Sequence, residues 1–344
     1  MTDRRPWCPG TATGIGSLPG TDPREAARMV IGELPDLPYL PELPQRGAGA
    51  DMIGRTAGLL VDLAVTLVPS GYRVTTRPGG DHRRAVDLLR ADLDAFEEAM
   101  ESAGIRPEVV KVQAAGPWTL TSEVELHSGH KVLTDHGALR EFAASLAEGL
   151  RIHVAEVSRR LGVRTVAQLD EPNLPAVLAG TVPTPSGYGT VPAVPEGEVA
   201  EVLRGVLEAL PQPRIVHCCA PRPPLALVRR AGADTLAVDA ELLAGAPRAT
   251  IDALGEAWDS GASVLLGLVP AIAPTVPPSL GELATPALDL VDRLGFDRSL
   301  LAQQCVPTPC CGLAGATVDW ARRAHPLVRE LAAAFVDPPL SWPG

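Results

Sequence analysis

The chain has 344 residues, of which 46% are hydrophobic, and a formal net charge of −11 with a pI of about 5.2. It has no basic stripe, which argues against a nucleic-acid partner. No apolar stretch reaches the length of a membrane span, and the longest, Leu59 to Val68, is interrupted by Asp62. The N-terminus, Met1-Thr2-Asp3-Arg4-Arg5-Pro6, has no apolar segment behind it and so reads as lacking a secretory signal. The cytoplasm is therefore the expected compartment, with the six cysteines reduced, buried or metal-bound. Arginine outnumbers lysine 28 to 2, which reads as a coding bias because the two lysines, Lys111 and Lys131, form no pattern.

Short apolar runs alternate with longer helical patterns along the whole chain. The helix at Pro23–Leu34 opens with Asp22-Pro23, a cap residue followed by proline at the first helical position. Further helices are expected at Asp51–Val68, Arg83–Ala103, Ala138–Leu161, Glu196–Leu210, Pro223–Ala231, Arg248–Ser260, Leu280–Leu294 and Trp320–Phe335. Two show their period plainly: Val86, Leu89, Leu93, Phe96 and Met100 form one apolar face, and Leu139, Phe142, Leu146, Leu150, Val154, Val157 and Leu161 another. Strands are expected at Thr13–Ser17, Leu37–Pro41, Val109–Ala115, Thr165–Leu169, Arg214–Cys218, Thr235–Asp239, Ser263–Leu268 and Leu301–Val306. Thr66–Asp81 reads as a hairpin or an irregular excursion, and Leu178–Pro195 as a long ordered loop. Eight βα units without an evident linker favour one α/β domain over residues 1–344, a (βα)8 TIM barrel.

In such a barrel the chemistry sits where the strands end. Gly14-Ile15-Gly16-Ser17 offers close backbone approach and a hydroxyl, or simply a tight turn. Glu42 is a carboxylate held rigidly between Pro41 and Pro44, or a solvated loop charge. Gln168-Leu169-Asp170-Glu171 places two carboxylates directly after an apolar strand, where they could capture an ammonium group or act as acid and base. The alternative is a helix N-terminus that favours acids. Val216-His217-Cys218-Cys219 ends an apolar run in His-x-Cys, and Cys310-Cys311 follows the last strand. Imidazole and thiolates together favour zinc. Barrel closure would let His217, Cys219 and Cys311 share one ion, with Asp239 as a fourth, exchangeable oxygen ligand. Side-chain alternation separates the adjacent thiols, leaving Cys218 and Cys310 to pack. The bland reading of any such cysteine is core filling. His82, His127, His130, His136 and His153 show no ligand spacing.

Taken together, Gly14-Ile15-Gly16-Ser17-Leu18-Pro19, Gly116-Pro117-x-Thr119, Gln168-Leu169-Asp170-Glu171-Pro172, His217-x-Cys219 and Cys311-Gly312-Leu313 resemble, in order and spacing, the catalytic domain of cobalamin-independent methionine synthases in its short, single-domain form. The resemblance implies a zinc-dependent methyl transfer to the thiol of homocysteine. By position it implies zinc on His217, Cys219 and Cys311. Asp239 stands where the family has a glutamate ligand. Ile15, Gly16 and Ser17 would meet the amino-acid substrate, and Asp170 and Glu42 would pair with its ammonium group. Trp118 would lie beside the bound partners, and Asp170 and Asp239 are the candidate catalytic carboxylates.

Two departures concern the methyl donor. The loop Val269-Pro270-Ala271-Ile272-Ala273-Pro274 lacks the family's histidine, and Ser122 and Glu123 stand where an aromatic shelf for folate is expected. The donor is therefore open between a methylfolate and a methyl-corrinoid protein. The alternative functions are alkyl transfer or C–S lysis on another small thiol, a non-catalytic thiol or amino-acid binding barrel, and a decarboxylase of the related uroporphyrinogen superfamily. The His-x-Cys and Cys-Gly-Leu set argues against the last.

Overall fold

Six strands whose residues are almost all buried read as continuous apolar runs, the pattern of a parallel sheet covered on both faces. They are β3 (Val109–Ala115), β5 (Arg164–Asp170), β6 (Ile215–Cys218), β7 (Thr235–Asp239), β8 (Ser263–Val269) and β9 (Cys305–Pro309). In the computed structural model, which describes residues 6–339 and Trp342, they form one parallel sheet in the order β3-β5-β6-β7-β8-β9. A separate small sheet pairs β1 (Ala64–Val68) antiparallel with β2 (Gly71–Thr75), and β2 with β4 (Val124–Glu125).

The large sheet curls. Val109 on one edge strand and Val306 on the other belong to a single buried cluster with Trp7, Leu37, Val166, Ile215, Ala237 and Leu265. Only a sheet bent round on itself can bring its edges into one patch of that size. The larger core lies outside, where helices pack on the sheet. Among the described residues, no helix is long and apolar enough to cross a membrane.

The helices at Gly80–Ala103, His136–Leu161, Glu196–Glu208, Leu225–Arg230, Arg248–Asp259, Leu280–Leu294 and Val318–Val336 follow the sequence pattern within a few residues. The helix at Pro23–Glu33 is capped by Asp22, whose carboxylate accepts from the backbone N–H groups of Arg24 and Glu25. Short helices at Pro117–Glu123, Leu174–Ala179 and Ala240–Ala244 were not anticipated, being too short to show a period.

Three expectations are corrected. The helix expected over Asp51–Val68 stops at Ala57, and its second half is the first strand of the hairpin. Gly58 follows the helix, and Asp62 takes a left-handed φ of 59°, which no helix continues through. The strand expected at Leu301–Val306 begins instead at Cys305, because Ser299–Gln304 forms a helix anchored by buried Leu301.

The third correction concerns Thr13–Ser17 and Leu37–Pro41, which form no regular ladder but only single parallel bridges, Ser17 with Glu42 and Tyr39 with Lys111. Pro38 and Pro41 lack the N–H a ladder needs. The backbone contacts that remain are specific. Thr13 N donates to Pro307 O at 3.2 Å, Glu42 N to Gly16 O at 3.0 Å, and Leu40 N to Lys111 O at 2.9 Å. These two segments thus bridge β9 to β3, the open edges of the curled sheet.

Candidate metal centre

His217 and Cys219 are two residues apart across the end of β6, so both side chains point to the same side. Cys311 comes from the turn after β9, 92 residues further along. The curl of the sheet brings these ends together. The ligand atoms of His217, Cys219 and Cys311 all lie within 4.8 Å of one another, and the two sulfurs are 3.2 Å apart. Sharing a hydrogen bond splits the two thiols: Cys311 is drawn down to about 6, while Cys219 is pushed up.

The imidazole is held through one nitrogen and leaves the other without a partner. Its Nδ1 lies 2.8 Å from Asp170 Oδ1, and a carboxylate only accepts, so that partner places the ring proton on Nδ1. The lone pair then sits on Nε2, which is buried and has no hydrogen-bond partner. A buried unpartnered nitrogen beside two thiols is costly unless something occupies the space between them. One imidazole and two thiolates match the preference of zinc, and a three-residue set leaves a fourth position open.

Asp170 is thus the orienting partner of His217. Gln168 Nε2 donates to the same oxygen at 2.7 Å. Glu42 is buried, its Oε1 lacks a hydrogen-bond partner, and Arg55 Nε stands 3.8 Å away. Burial pushes the Glu42 carboxyl up to about 7 against the pull of Arg55, and the charge of Asp170 adds to the rise. Oε1 makes no hydrogen bond but already faces Arg55, so a second cation reaching this carboxyl would share it with Arg55.

Ile15-Gly16-Ser17 runs between Glu42 and the cysteine turn. Leu313 N donates to Ser17 O at 2.8 Å, and a Cβ on Gly312 would lie 2.1 Å from Ser17 Oγ. Gly312→Ala is accordingly expected to displace Ser17 and the adjoining Cys311. A shift of about 1 Å in such a site lowers turnover by around 10²-fold. Thermal unfolding of the variant should remain near wild type, and steady-state kinetics would measure the loss.

Two expected residues are not brought into this group. Asp239 caps the helix at Ala240–Ala244, accepting from Glu241 N at 2.9 Å, and it also bonds the Cys310 thiol. Its carboxylate is spent on its own chain, and among the described residues the converging set is His217, Cys219 and Cys311. Trp118 is fully buried in the helix–sheet core, with Nε1 donating to Val199 O at 3.2 Å. Its ring packs toward the helix at Glu196–Glu208. Glu171, the second acid after β5, accepts from Trp118 N at 3.0 Å and from Thr119 N and Oγ1 at 2.8 and 2.7 Å, capping the helix at Pro117–Glu123. Gly116 is required there, because a Cβ would lie 2.3 Å from Glu171 Oε1. Sequence reasoning passed over Arg55, Gln113 and the place of Lys111. A buried position for a cation in the middle of an apolar strand was the available signal for Lys111.

A family model described as the cobalamin-independent synthase catalytic domain matches residues 10–334. A solved B12-independent methionine synthase from Shewanella sp. W3-18-1, in complex with selenomethionine, superposes with a TM-score of 0.59 at 13% identity, covering 96% of this chain and 98% of that one. A 3-keto-D-glucoside 4-epimerase from E. coli reaches a TM-score of only 0.38 at 10% identity, over 70% of this chain and 84% of that one. No curated protein matches the sequence. The family model spans nearly the whole chain, and by that match the chain belongs to the cobalamin-independent synthase family, as a form of its catalytic domain.

Proposed function

We propose that this chain is a zinc-dependent methyltransferase that transfers a methyl group to the thiol of homocysteine, giving methionine. The observation that carries the reading is the convergence of His217 Nε2, Cys219 and Cys311 beside Ser17 in a chain of this family. In this reading residues 1–344 are one domain, a (βα)8 barrel in which Thr13–Ser17 and Leu37–Pro41 stand as the two remaining staves, supported by their backbone bonds to Pro307 and Lys111.

His217, Cys219 and Cys311 would hold the ion. Zinc supplies Lewis acidity that favours the thiolate form of a coordinated thiol at neutral pH. The remaining work belongs to the protein. Asp170 keeps the proton on His217 Nδ1, so that Nε2 stays a donor of electrons. Asp170 has a second oxygen to offer the substrate ammonium group, and Glu42, whose Oε1 makes no hydrogen bond but faces Arg55 Nε at 3.8 Å, would join it. Ile15, Gly16 and Ser17 would meet the substrate's backbone-like end. Asp239, held by the Glu241 and Leu242 N–H groups and by Cys310, acts by fixing the turn that carries Cys310-Cys311. Burial of these groups orients the thiol and keeps water from competing with it.

The donor side carries no proton-transfer residue in the Val269–Pro274 loop and no aromatic ring at Ser122 or Glu123. A methylfolate and a methyl-corrinoid protein are both admitted. Zinc-loaded protein incubated with homocysteine and, separately, a methylfolate or methylcobalamin is expected to form methionine from one donor only. Tight homocysteine binding without turnover on either would favour a binding protein, and full activity without metal would sink the zinc reading.

A further inference from the structure

Lys111 lies at the centre of β3 and is completely buried. Its Nζ donates to Ile15 O at 2.8 Å, to Gln168 Oε1 at 2.8 Å and to Gln113 Oε1 at 3.4 Å, and it stands 5.3 Å from the centre of the Tyr39 ring. All three acceptors are neutral. Burial draws Lys111 down to about 7, against the opposing pull of Asp170 and Glu42, which are its longer-range counter-ions. Burying a lysine inside a sheet is costly unless hydrogen bonds satisfy its Nζ, as the three acceptors here do.

What it organises is the direction of two amides. Nζ donates to both glutamine oxygens, so both oxygens turn toward Lys111 and both NH2 groups turn away. Gln113 Nε2 then donates to Leu40 O at 2.6 Å, two residues before Glu42. Gln168 Nε2 donates to Ile15 O at 3.0 Å and to Asp170 Oδ1 at 2.7 Å. Asp170 Oδ1 in turn holds His217 Nδ1 at 2.8 Å. One buried amine thus stands at the start of a run of hydrogen bonds that reaches His217 through Asp170, which accepts from both Gln168 and His217, and it also pins the carbonyl immediately before Gly16 and Ser17.

We propose that Lys111 is a positioning residue of the metal centre, holding Asp170 through Gln168 so that His217 is kept in the tautomer with Nε2 free, while anchoring Ile15 beside the substrate. Its functional meaning rests on the reading of His217 as a ligand. The orientation can be measured without metal. In the metal-free full chain with 15N-labelled histidine, His217 is expected to show a single Nδ1–H tautomer. Lys111→Met and Gln168→Leu should each give a mixture.

Chelator competition should show zinc affinity falling by about 10–100-fold in each variant, the usual effect of losing the support of a ligand. The double variant should lose no more than the worse single, because both act through one chain, whereas unrelated structural damage would multiply. If Lys111→Met does not fold, Gln168→Leu decides alone. A folded Gln168→Leu protein with the wild-type tautomer and wild-type zinc affinity overturns the proposal. A wild-type protein that shows the single tautomer, loses it in the variants and yet binds no zinc overturns the zinc reading and leaves the positioning role intact.

Discussion

Cys219→Ser and Cys311→Ser are each expected to abolish zinc binding and methyl transfer, while Cys218→Ser and Cys310→Ser leave a zinc content near that of the wild type. A serine hydroxyl does not ionise near neutral pH and so does not replace a thiolate ligand. The loss should exceed the roughly 10–100-fold that follows from removing only a supporting hydrogen bond. The contrast within each adjacent pair is the informative part. Cys219 and Cys311 have sulfurs 3.2 Å apart in the group with His217, whereas Cys218 is buried on the other side of its strand end and Cys310 is bonded to Asp239. Metal analysis of the four purified proteins, with circular dichroism to verify folding, reads the result directly. One zinc per chain retained in both Cys219→Ser and Cys311→Ser would remove the metal from this site.

Asp92→Ala is expected to destabilise the chain by about 3–5 kcal/mol, the usual consequence of removing one partner from a buried ion pair. Asp92 is 1% exposed, with Arg46 Nη2 2.7 Å from Oδ1 and the Arg55 guanidinium against Oδ2. Its loss leaves two largely buried guanidinium groups without their shared counter-ion. Urea unfolding should show a lower midpoint with little change in slope. The site feels the change as well. Arg55 is the cation beside Glu42, and its charge, no longer shared with Asp92, would favour the Glu42 carboxylate, opposing the rise that burial causes. A variant as stable as the wild type would show that solvent or another acid compensates for Asp92.

The long amphipathic helices were legible because their apolar period repeats over many turns and needs no partner to be recognised. The strands β3, β5, β6, β7 and β8 were legible as apolar runs ending in polar residues. The hairpin of β1 and β2 was half legible: the excursion was visible, but Ala64–Val68 is apolar enough to read as the end of a helix, and only the backbone at Asp62 separates the two. Leu300 and Leu301 misled in the same way, because a short apolar run carries no period that distinguishes a turn of helix from a strand. The two segments Thr13–Ser17 and Leu37–Pro41 read as strands but make only isolated bridges and single backbone bonds to Pro307 and Lys111, and in the second of them Pro38 and Pro41 lack the N–H a ladder needs.

The sequence by itself determined the family, through motifs whose order and spacing survive without coordinates, and the set of His217, Cys219 and Cys311, because imidazole and thiol chemistry together with side-chain alternation single them out. Only the tertiary structure decided what each carboxylate does. Asp170, Glu171 and Asp239 look alike as acids following apolar strands, yet one orients His217, one caps the helix at Pro117–Glu123 and one caps the helix at Ala240–Ala244. It also decided that Trp118 packs inward and that Lys111 sits beneath the site. The physical reason is common to all of these. The chemistry of an imidazole or a thiol is a property of its own atoms, but a carboxylate, an amide or an amine takes its role from the partner it reaches, and His217 is 47 residues from Asp170 and Ile15 is 153 from Gln168 along the chain.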